Sequence, residues 1–445
     1  MLSCLLLLAL PSQAATSRTS VVQAALTAAN AGLSASARDE KYSAMAEGPF
    51  AFYRGSNPLF WMDLGDGAWL DAYGGDAETR TWLCGDGHVG NIGAFQDDQG
   101  DIVFALNDFD EAVIADYQLD VLRLATSLVL VARDNGGFSA GDEEDAVDAF
   151  TEAYLDAMAD YATNHDEEDR TFRASNTSGP LDDFLDDVES THSRSDLLDQ
   201  WTIKVSSKRV LDTSGNPDLA AVSSAVKSDL TAAISAYRGT LTGGGASLPS
   251  SYFKVKSVAE RLHAGVGSLG VKRYYVLIEG PSTGQSDDRI LDVKAQGAPS
   301  AWGLLDAAAQ ADTEDASGGD HAARGVIAAK ALGVHVDDLL GTLTLSGQRY
   351  SVREVSPYKA SFPTDELTSD SKLQSMAAQW GALLATQHAR ADQDWDSGVF
   401  PFSLDDQIDA RTDGDHSGFR ALMRAMAVEY ADQVELDYAS FLMVF

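Results

Sequence analysis

The chain has 445 residues, 44% of them hydrophobic, which is enough apolar material for more than one core and excludes a disordered protein. Its 68 acidic residues outnumber its 32 basic residues and give a net charge of -36 at pH 7. Such a charge repels nucleic acid and anionic membranes, so we expect neither as a partner. Any nucleotide site in this chain needs Mg²⁺ and local cations to overcome the same repulsion.

Residues 1–15 resemble a secretory signal peptide, because the apolar run Leu5–Leu10 is followed by small residues. We therefore expect export to the periplasm or the medium; the segment lacks a positively charged start, and a cytoplasmic protein with a buried N-terminal helix is the alternative. Loss of this segment would leave Cys84 as the single cysteine and would exclude an intramolecular disulfide. No later stretch reaches the roughly 20 apolar residues of a membrane span.

The first half of the chain predicts mainly helices around one hairpin. The hairpin runs from Trp82-Leu83-Cys84 to Ile102–Leu106 across the polar turn Asp97–Asp101. Helices are predicted for residues 17–41, 120–133 and 143–161. Residues 162–250 are polar and helical in patches, and the glycine run at 243–245 reads as a linker.

The second half begins with a strand-rich stretch and ends in helices. Short β-prone runs separated by glycine-containing turns predict strands at 252–257, 273–279 and 289–294, and a hairpin from 339–345 to 349–355. Helices are predicted at 303–311, 322–332, 370–390 and 417–443.

The loop from Cys84 to Asn91 carries the strongest chemical pattern. Asp86, Asn91 five positions later, and Asp108 after one more hairpin have the spacing with which kinase-type sites place a base and two Mg²⁺ ligands around a transferring phosphate. His88 matches the small-molecule-kinase version of this loop. That version begins with a histidine, and Cys84 stands at its position in this chain. The alternative is a tight Gly/Asp turn with solvated acidic residues.

Two further aspartates belong to the same region. Asp110 stands where the common Asp-Phe-Gly motif has glycine, so it is either an additional metal ligand or the mark of altered chemistry. Asp120 opens a buried helix and matches the aspartate that braces the catalytic loop in small-molecule kinases. A helix N-cap is an equally good interpretation of Asp120.

A second motif lies far downstream. Gly265, Gly267, Ser268 and Gly270 form a G-x-G-x-x-G segment between two predicted strands, and Lys294 lies on the next strand. Glycines let backbone amides approach phosphates, and a strand lysine can hold the α and β phosphates. An ordinary hairpin loop and a surface lysine are the alternatives.

The catalytic loop precedes the glycine loop here, whereas ordinary kinases have the reverse order. A circular permutation would reconcile the two, because chain termini tolerate relocation to exposed sites. We then expect an N-terminal helical extension at 16–45, a large lobe at 46–249, a small β-rich nucleotide lobe at 250–357 and completing helices at 358–445. The run Arg353–Tyr358 would be the hinge between the lobes, and Arg353 a nucleotide contact.

At these motifs the chain resembles the bacterial proteins grouped as domain of unknown function 2252, over roughly residues 45–400. The matching segments are Gly48–Gly55, Cys84–Gly93, Leu106–Ala112, Asp120–Ala125, Gly265–Gly270 with Lys294, Tyr350–Glu354 and His388–Arg390. That family is similar to the protein-kinase-like and aminoglycoside-phosphotransferase-like superfamily, which implies a two-lobed α+β fold and a nucleotide site. The resemblance also makes candidate cleft residues of Arg54, Arg353, Lys359, His388 and Arg390.

The favoured function is therefore an ATP- and Mg²⁺-dependent phosphotransferase that acts on an unidentified small molecule or protein, with Asp86 as catalytic base. A pseudokinase or nucleotide-binding module is the alternative, and nucleotidyl transfer and a metal-dependent phosphoesterase rank lower. A strand lysine of this type usually has an acidic partner; Glu314 and Glu354 are the candidates in this sequence.

Overall fold

The computed structural model describes residues 17–265, 267 and 269–445; the predicted signal peptide at 1–15 and Ser268 lie outside the described residues. The fold is mixed α+β, with 53% helix, 15% strand and several small sheets, as the sequence predicts at the level of fold class. Among the described helices, none combines the length and apolar character that crossing a bilayer requires.

The helical elements are distributed over the whole described chain. They are Arg18–Ala29 (α1), Ala35–Met45 (α2), Pro49–Gly55 (α3), Asn57–Leu64 (α4), Gln118–Asn135 (α5), Ala140–Tyr161 (α6), Pro180–Thr191 (α7), Arg194–Trp201 (α8), Ser224–Tyr237 (α9), Ala307–Ser317 (α10), His321–Leu332 (α11), Asp370–Arg390 (α12), Gln393–Asp396 (α13), Leu404–Thr412 (α14) and His416–Val444 (α15).

The strands are short and pair antiparallel. They are Arg80–Leu83 (β1), Ile92–Gln96 (β2), Ile102–Leu106 (β3), Val113–Asp116 (β4), Thr202–Val205 (β5), Lys208–Leu211 (β6), Leu219–Ala221 (β7), Val255–Arg261 (β8), Arg273–Ile278 (β9), Arg289–Ala295 (β10), Gly341–Leu345 (β11), Gln348–Glu354 (β12) and Ala360–Ser361 (β13). Their sheets have the orders β1-β4, β13-β2-β3, β5-β6 and β11-β12-β10-β9-β8-β7.

The largest hydrophobic core is helical and is built around α5, α6, α12 and α15. The start of α6 is fixed by a capping box, in which Ser139 Oγ accepts from the Asp142 amide and the Asp142 carboxylate accepts from the Ser139 amide. Helices α6 and α12 approach closely at Gly381, where a Cβ atom would lie 2.1 Å from the carbonyl oxygen of Phe150. Glycine is therefore required at this helix crossing.

The six-stranded sheet has two different faces. Alternate residues of its central strands, including Val276, Leu291 and Val293, join a second hydrophobic core with α9. The intervening residues of β10, Asp292 and Lys294, lie on the other face, which borders the cavity described below. Because β7 and α9 precede residue 250, the sheet core draws on chain from before the predicted start of the small lobe.

The predicted hairpin at 82–106 is half correct. The turn lies at Asp97–Asp101 as predicted, but the strand Ile102–Leu106 pairs with Ile92–Gln96, whereas Arg80–Leu83 pairs with Val113–Asp116. The short strand after the catalytic loop carries the glycine-containing sequence Ile92-Gly93-Ala94, which lacks a run of β-branched residues, so its strand signal is weak. The loop at 84–91 consequently joins two separate sheets.

Candidate functional site

The loop between β1 and β2 is held in one conformation by backbone contacts. Gly85 has φ +72°, and a Cβ atom there would lie 2.0 Å from the carbonyl oxygen of Glu111. Side chains of Asn57 and Trp61 both donate to the Gly85 carbonyl oxygen, at 3.0 Å each. The loop that carries Asp86 is therefore fixed from both sides by the large core.

Asp86 is paired with the buried guanidinium of Arg123, a residue that sequence reasoning missed. Arg123 Nε lies 2.8 Å from Asp86 Oδ1, and Arg123 is only 1% exposed. Burial opposes ionisation of Asp86, but the contacts of Arg123 and His88 together outweigh it and hold the pKa of this carboxyl well below its usual range. The Asn91 side chain donates to the Asp86 carbonyl oxygen at 3.0 Å, which joins the two predicted positions in one turn.

His88 lies beside the same carboxylate. Its Nε2 is 3.6 Å from Asp86 Oδ2, and burial lowers the pKa of His88 although Asp86 acts in the opposite direction. The imidazole is therefore neutral at pH 7. Its Nδ1 is buried and has no hydrogen-bond partner among the described residues, and the ring packs edge-on against Phe50.

Asp120 contacts the catalytic loop rather than its own helix. Its Oδ2 accepts from the Cys84 amide at 2.8 Å, and its Oδ1 accepts from the Gly85 amide at 3.3 Å. His388 Nε2 lies 3.7 Å from Asp120 Oδ2, while its Nδ1 is 2.9 Å from the Tyr154 hydroxyl. This geometry is that of a brace, as the first of the two interpretations of Asp120 requires.

The second acidic cluster meets the six-stranded sheet. The Asp110 carboxylate pairs with the ammonium of Lys294, and its other oxygen accepts from Gln296 Nε2 at 2.6 Å. The Asp110 amide also donates to Asp108 Oδ1 at 3.3 Å. Burial opposes ionisation of Asp108, but nearby cations, Lys294 foremost, lower its pKa, so Asp108 is a carboxylate at pH 7.

Neither acidic residue proposed from sequence is the partner of Lys294. Glu354 instead pairs with Arg194 at 2.6 Å and Arg289 at 3.3 Å, and Glu314 accepts from Gln310 on its own helix at 3.2 Å. Asp110, which stands at the unusual position of the motif, takes the place that both were expected to fill. Burial lowers the pKa of Lys294, and Asp108 opposes this shift.

The glycine segment lies beside helix α2. Gly270 has φ +79°, and a Cβ atom there would lie 2.8 Å from Leu33 and 2.9 Å from Ala37. At Gly265 and Gly267 a Cβ atom would meet no atom of the described residues within 4 Å, so close packing against these residues does not require glycine there. These three glycines do not line the cavity described next.

A cavity of about 430 Å³ lies between the sheet and the helical part. Asp108, Asp110, Lys294 and Arg353 line it, as do residues of the predicted hinge. The other predicted residues, Asp86, His88, Asn91 and Asp120, do not line the cavity. A backbone hydrogen bond of 3.0 Å from the Asn107 amide to the Asn91 carbonyl oxygen joins the two groups.

Several further charged residues that sequence reasoning missed line the cavity, among them Arg273 and Asp292, and Lys359, a candidate cleft residue through the family resemblance, lines it too. Arg273 Nε lies 2.6 Å from Asp292 Oδ1, and Arg353 Nε lies 3.8 Å from Asp292 Oδ2. The available signal was the alternation of polar residues along the strands, at 292, 294 and 296, within otherwise apolar runs.

The donor set here suits a hard cation. Asp108 supplies a carboxylate, and Asn91 donates through its amide nitrogen, which leaves the side-chain oxygen available as a ligand. Asp110 is already paired with Lys294 and Gln296, so it is less free to bind a metal than predicted. Among the described residues, the close groups of three His, Cys, Asp or Glu ligands lie elsewhere, at Glu152, Asp156 and His416 and at His165, Glu168 and Asp394.

Fold and site together define a mixed α+β protein with a charged cavity between an antiparallel sheet and a helical core. The chain belongs to the family described as "Uncharacterized protein conserved in bacteria (DUF2252)", whose model matches residues 35–443. The family resemblance seen in the sequence is thereby confirmed. No curated protein and no solved structure matches the chain.

Proposed function

We propose that this protein is an ATP- and Mg²⁺-dependent phosphotransferase with a circularly permuted, two-lobed kinase-like fold. The observation that carries the proposal is the ion pair between Lys294 and Asp110, 184 positions apart in the chain, on the wall of one cavity that also contains Asp108. A strand lysine and a metal-binding aspartate that converge on one cleft are the two halves of a kinase-type nucleotide site.

The sheet gives the second line of support. Strands β8, β9 and β10 are consecutive neighbours, the glycine segment joins the first two, and Lys294 lies on the third. Kinases have the same succession of glycine loop and third-strand lysine. Since these strands follow the catalytic loop in the chain, a kinase-like arrangement of this protein requires permutation.

Each residue then has a role in phosphoryl transfer. Asp108 and the side-chain oxygen of Asn91 would hold Mg²⁺, which neutralises phosphate charge when bound. Lys294 and Arg353 contact phosphates of ATP. The acceptor hydroxyl oxygen bonds to the γ-phosphorus, the bond to the bridging oxygen of ADP breaks, and Asp86 receives the hydroxyl proton. With its low pKa, Asp86 orients the acceptor more than it attracts a proton.

Calorimetric titration with ATP and Mg²⁺ tests the site. We expect Lys294→Met and Asp108→Asn to weaken ATP binding by about tenfold or more, because each removes a charge-assisted contact to phosphate or metal. Lys272→Met is the matched control, since Lys272 is exposed, pairs with Glu260 and does not line the cavity. Equal ATP affinity in all four proteins would contradict the proposal.

A binding module without turnover is the second candidate, and the Arg123 pair of Asp86 favours it. A carboxylate held by a buried guanidinium is a weak proton acceptor. Incubation of the protein and a bacterial extract with ATP labelled at the γ or the α phosphorus separates the possibilities. Transfer of the γ label supports phosphotransfer, transfer of the α label indicates nucleotidyl transfer, and ATP binding with neither transfer supports the binding module.

A further inference from the structure

The cavity face of the six-stranded sheet carries a row of cations. Arg273 on β9 is opposite Lys294 on β10, and Asp292 on β10 is opposite Arg353 on β12. All four residues and Lys359, which follows β12, line the cavity. Three cations, Arg273, Arg353 and Lys359, thus surround the carboxylate of Asp292, and the Lys294–Asp110 ion pair lies in the same cavity. We call Arg273, Arg353 and Lys359 the cation cluster.

The cluster has more positive charge than its own contacts neutralise. Asp292 accepts a hydrogen bond from Arg273 and lies 3.8 Å from Arg353. The Nη1 group of Arg353 donates to the Asn107 carbonyl oxygen at 2.6 Å. Repulsion from Arg353, burial and repulsion from Arg273 lower the pKa of Lys359 to about 7, against the attraction of Asp292 and Asp108. A group of like charges of this kind is stabilised by a bound anion.

The cluster also contrasts with the rest of the molecule. Acidic residues outnumber basic residues by 68 to 32 in the whole chain, whereas basic side chains equal acidic ones in number along the cavity wall. Residues two apart on a strand are about 7 Å apart on one face, so the row from Lys294 across to Arg353 can contact more than one phosphate.

We propose that Arg273, Arg353 and Lys359 form a polyphosphate subsite, through which the cavity holds its nucleotide mainly by the phosphate chain. This inference rests on the proposed function for the identity of the ligand as a nucleoside triphosphate. The shared chemistry is a chain of phosphates, so inorganic triphosphate binds the same cluster without any nucleoside.

The test is calorimetric titration of the full chain with ATP, GTP, inorganic triphosphate and adenosine, each with Mg²⁺. We expect ATP and GTP to bind within about threefold of each other and inorganic triphosphate within about tenfold of ATP, because phosphate contacts dominate. Adenosine should show no measurable binding. Arg353→Met and Lys359→Met should each weaken triphosphate binding by about tenfold or more, and Lys272→Met should leave it unchanged.

The outcomes separate this inference from the proposed function. Any one of three results overturns the subsite: ATP binding without triphosphate binding, a preference of about 100-fold for one base, or unchanged affinity in both cluster variants. Triphosphate binding that both variants lose, with no transfer of the γ label, supports the subsite while the phosphotransferase proposal fails. Arg353→Lys controls for folding, because it keeps the charge and should retain part of the affinity that Arg353→Met loses.

Discussion

Lys359 illustrates how a single residue can serve binding at the expense of stability. Its pKa of about 7 lies below the ordinary value of 10.5, mainly because Arg353 repels its charge. Between these two values the unfolded chain binds a proton that the folded chain does not, so the free energy of unfolding rises with pH through this window. The folded protein is correspondingly penalised at and below neutral pH.

Replacing this lysine should therefore stabilise the protein without ligand. We expect Lys359→Met to raise the free energy of unfolding by up to about 1 kcal/mol at pH 6–7, because Lys359 is exposed and solvent screens the repulsion, with the gain falling to near zero around pH 10. Denaturant unfolding in a chloride buffer without phosphate, at several pH values, measures the difference. A gain that does not depend on pH, or a loss of stability at pH 6, would contradict the assigned environment of Lys359.

At the same scale, the sequence revealed residues within motifs but not their partners. Spacing alone made Asp86, Asp108 and Lys294 candidates, because kinase-type loops have a fixed order of residue types. It could not identify Arg123 as the partner of Asp86, nor Asp110 as the partner of Lys294. Those contacts depend on how distant elements pack, and each candidate carboxylate along the chain is chemically equivalent before folding.

Among the elements, α11 fixes the Asp108–Ala112 loop to the sheet. Its fully buried Arg324 donates to the carbonyl oxygens of Asp110, at 2.6 Å, Gly297, at 3.3 Å, and Ala112. Burial lowers the pKa of Arg324 to about 10, with Glu111 acting against the shift. A helix cation that holds backbone oxygens thus positions the loop from which Asp110 reaches Lys294.

We expect Arg324→Met to destabilise the protein by about 2 kcal/mol, because two or three buried carbonyl oxygens lose their donor. Hydrogen exchange of the Asp108–Ala112 segment should become faster, and triphosphate binding should weaken as Asp110 loses its position. Lys330→Met on the same helix is the control, since Lys330 is bonded to Thr242 and does not line the main cavity. Unchanged exchange in the Arg324 variant would show that α11 does not position the loop.

The elements themselves were predicted unevenly. Long periodic segments such as α5, α6 and α12 were recognised because their apolar residues recur at helical spacing. The strand β2 and its pairing with β3 were missed, and the glycine run at 243–245, read as a linker, includes the buried Gly245, whose amide donates to Asp338. Pairing partners and the burial of short turns are set by tertiary packing, which a local pattern does not contain.

On the scale of the whole molecule, the acidic composition of the chain dominates the electrostatic contribution to stability. The class α+β followed from the division of the sequence into helical and strand-rich stretches, whereas the position of the cavity between the two cores required the structure. Even if every basic residue neutralised one acidic residue, 36 of the 68 carboxylates would remain uncompensated. Their mutual repulsion destabilises the compact state more than the expanded one.

We therefore expect the melting temperature to rise with salt. Between about 10 and 300 mM NaCl the Debye length falls from about 30 Å to less than 10 Å, so repulsion among exposed carboxylates is screened. Exposed ion pairs such as Arg133–Asp432 weaken as well, but each is worth at most about 1 kcal/mol, and the excess of carboxylates outweighs them. Differential scanning calorimetry at fixed pH measures the shift, and an increase of several degrees is expected. Sucrose at matched osmolality controls for general solute effects. A melting temperature that stays constant or falls with NaCl would show that local ion pairs, not net repulsion, control the stability of this chain.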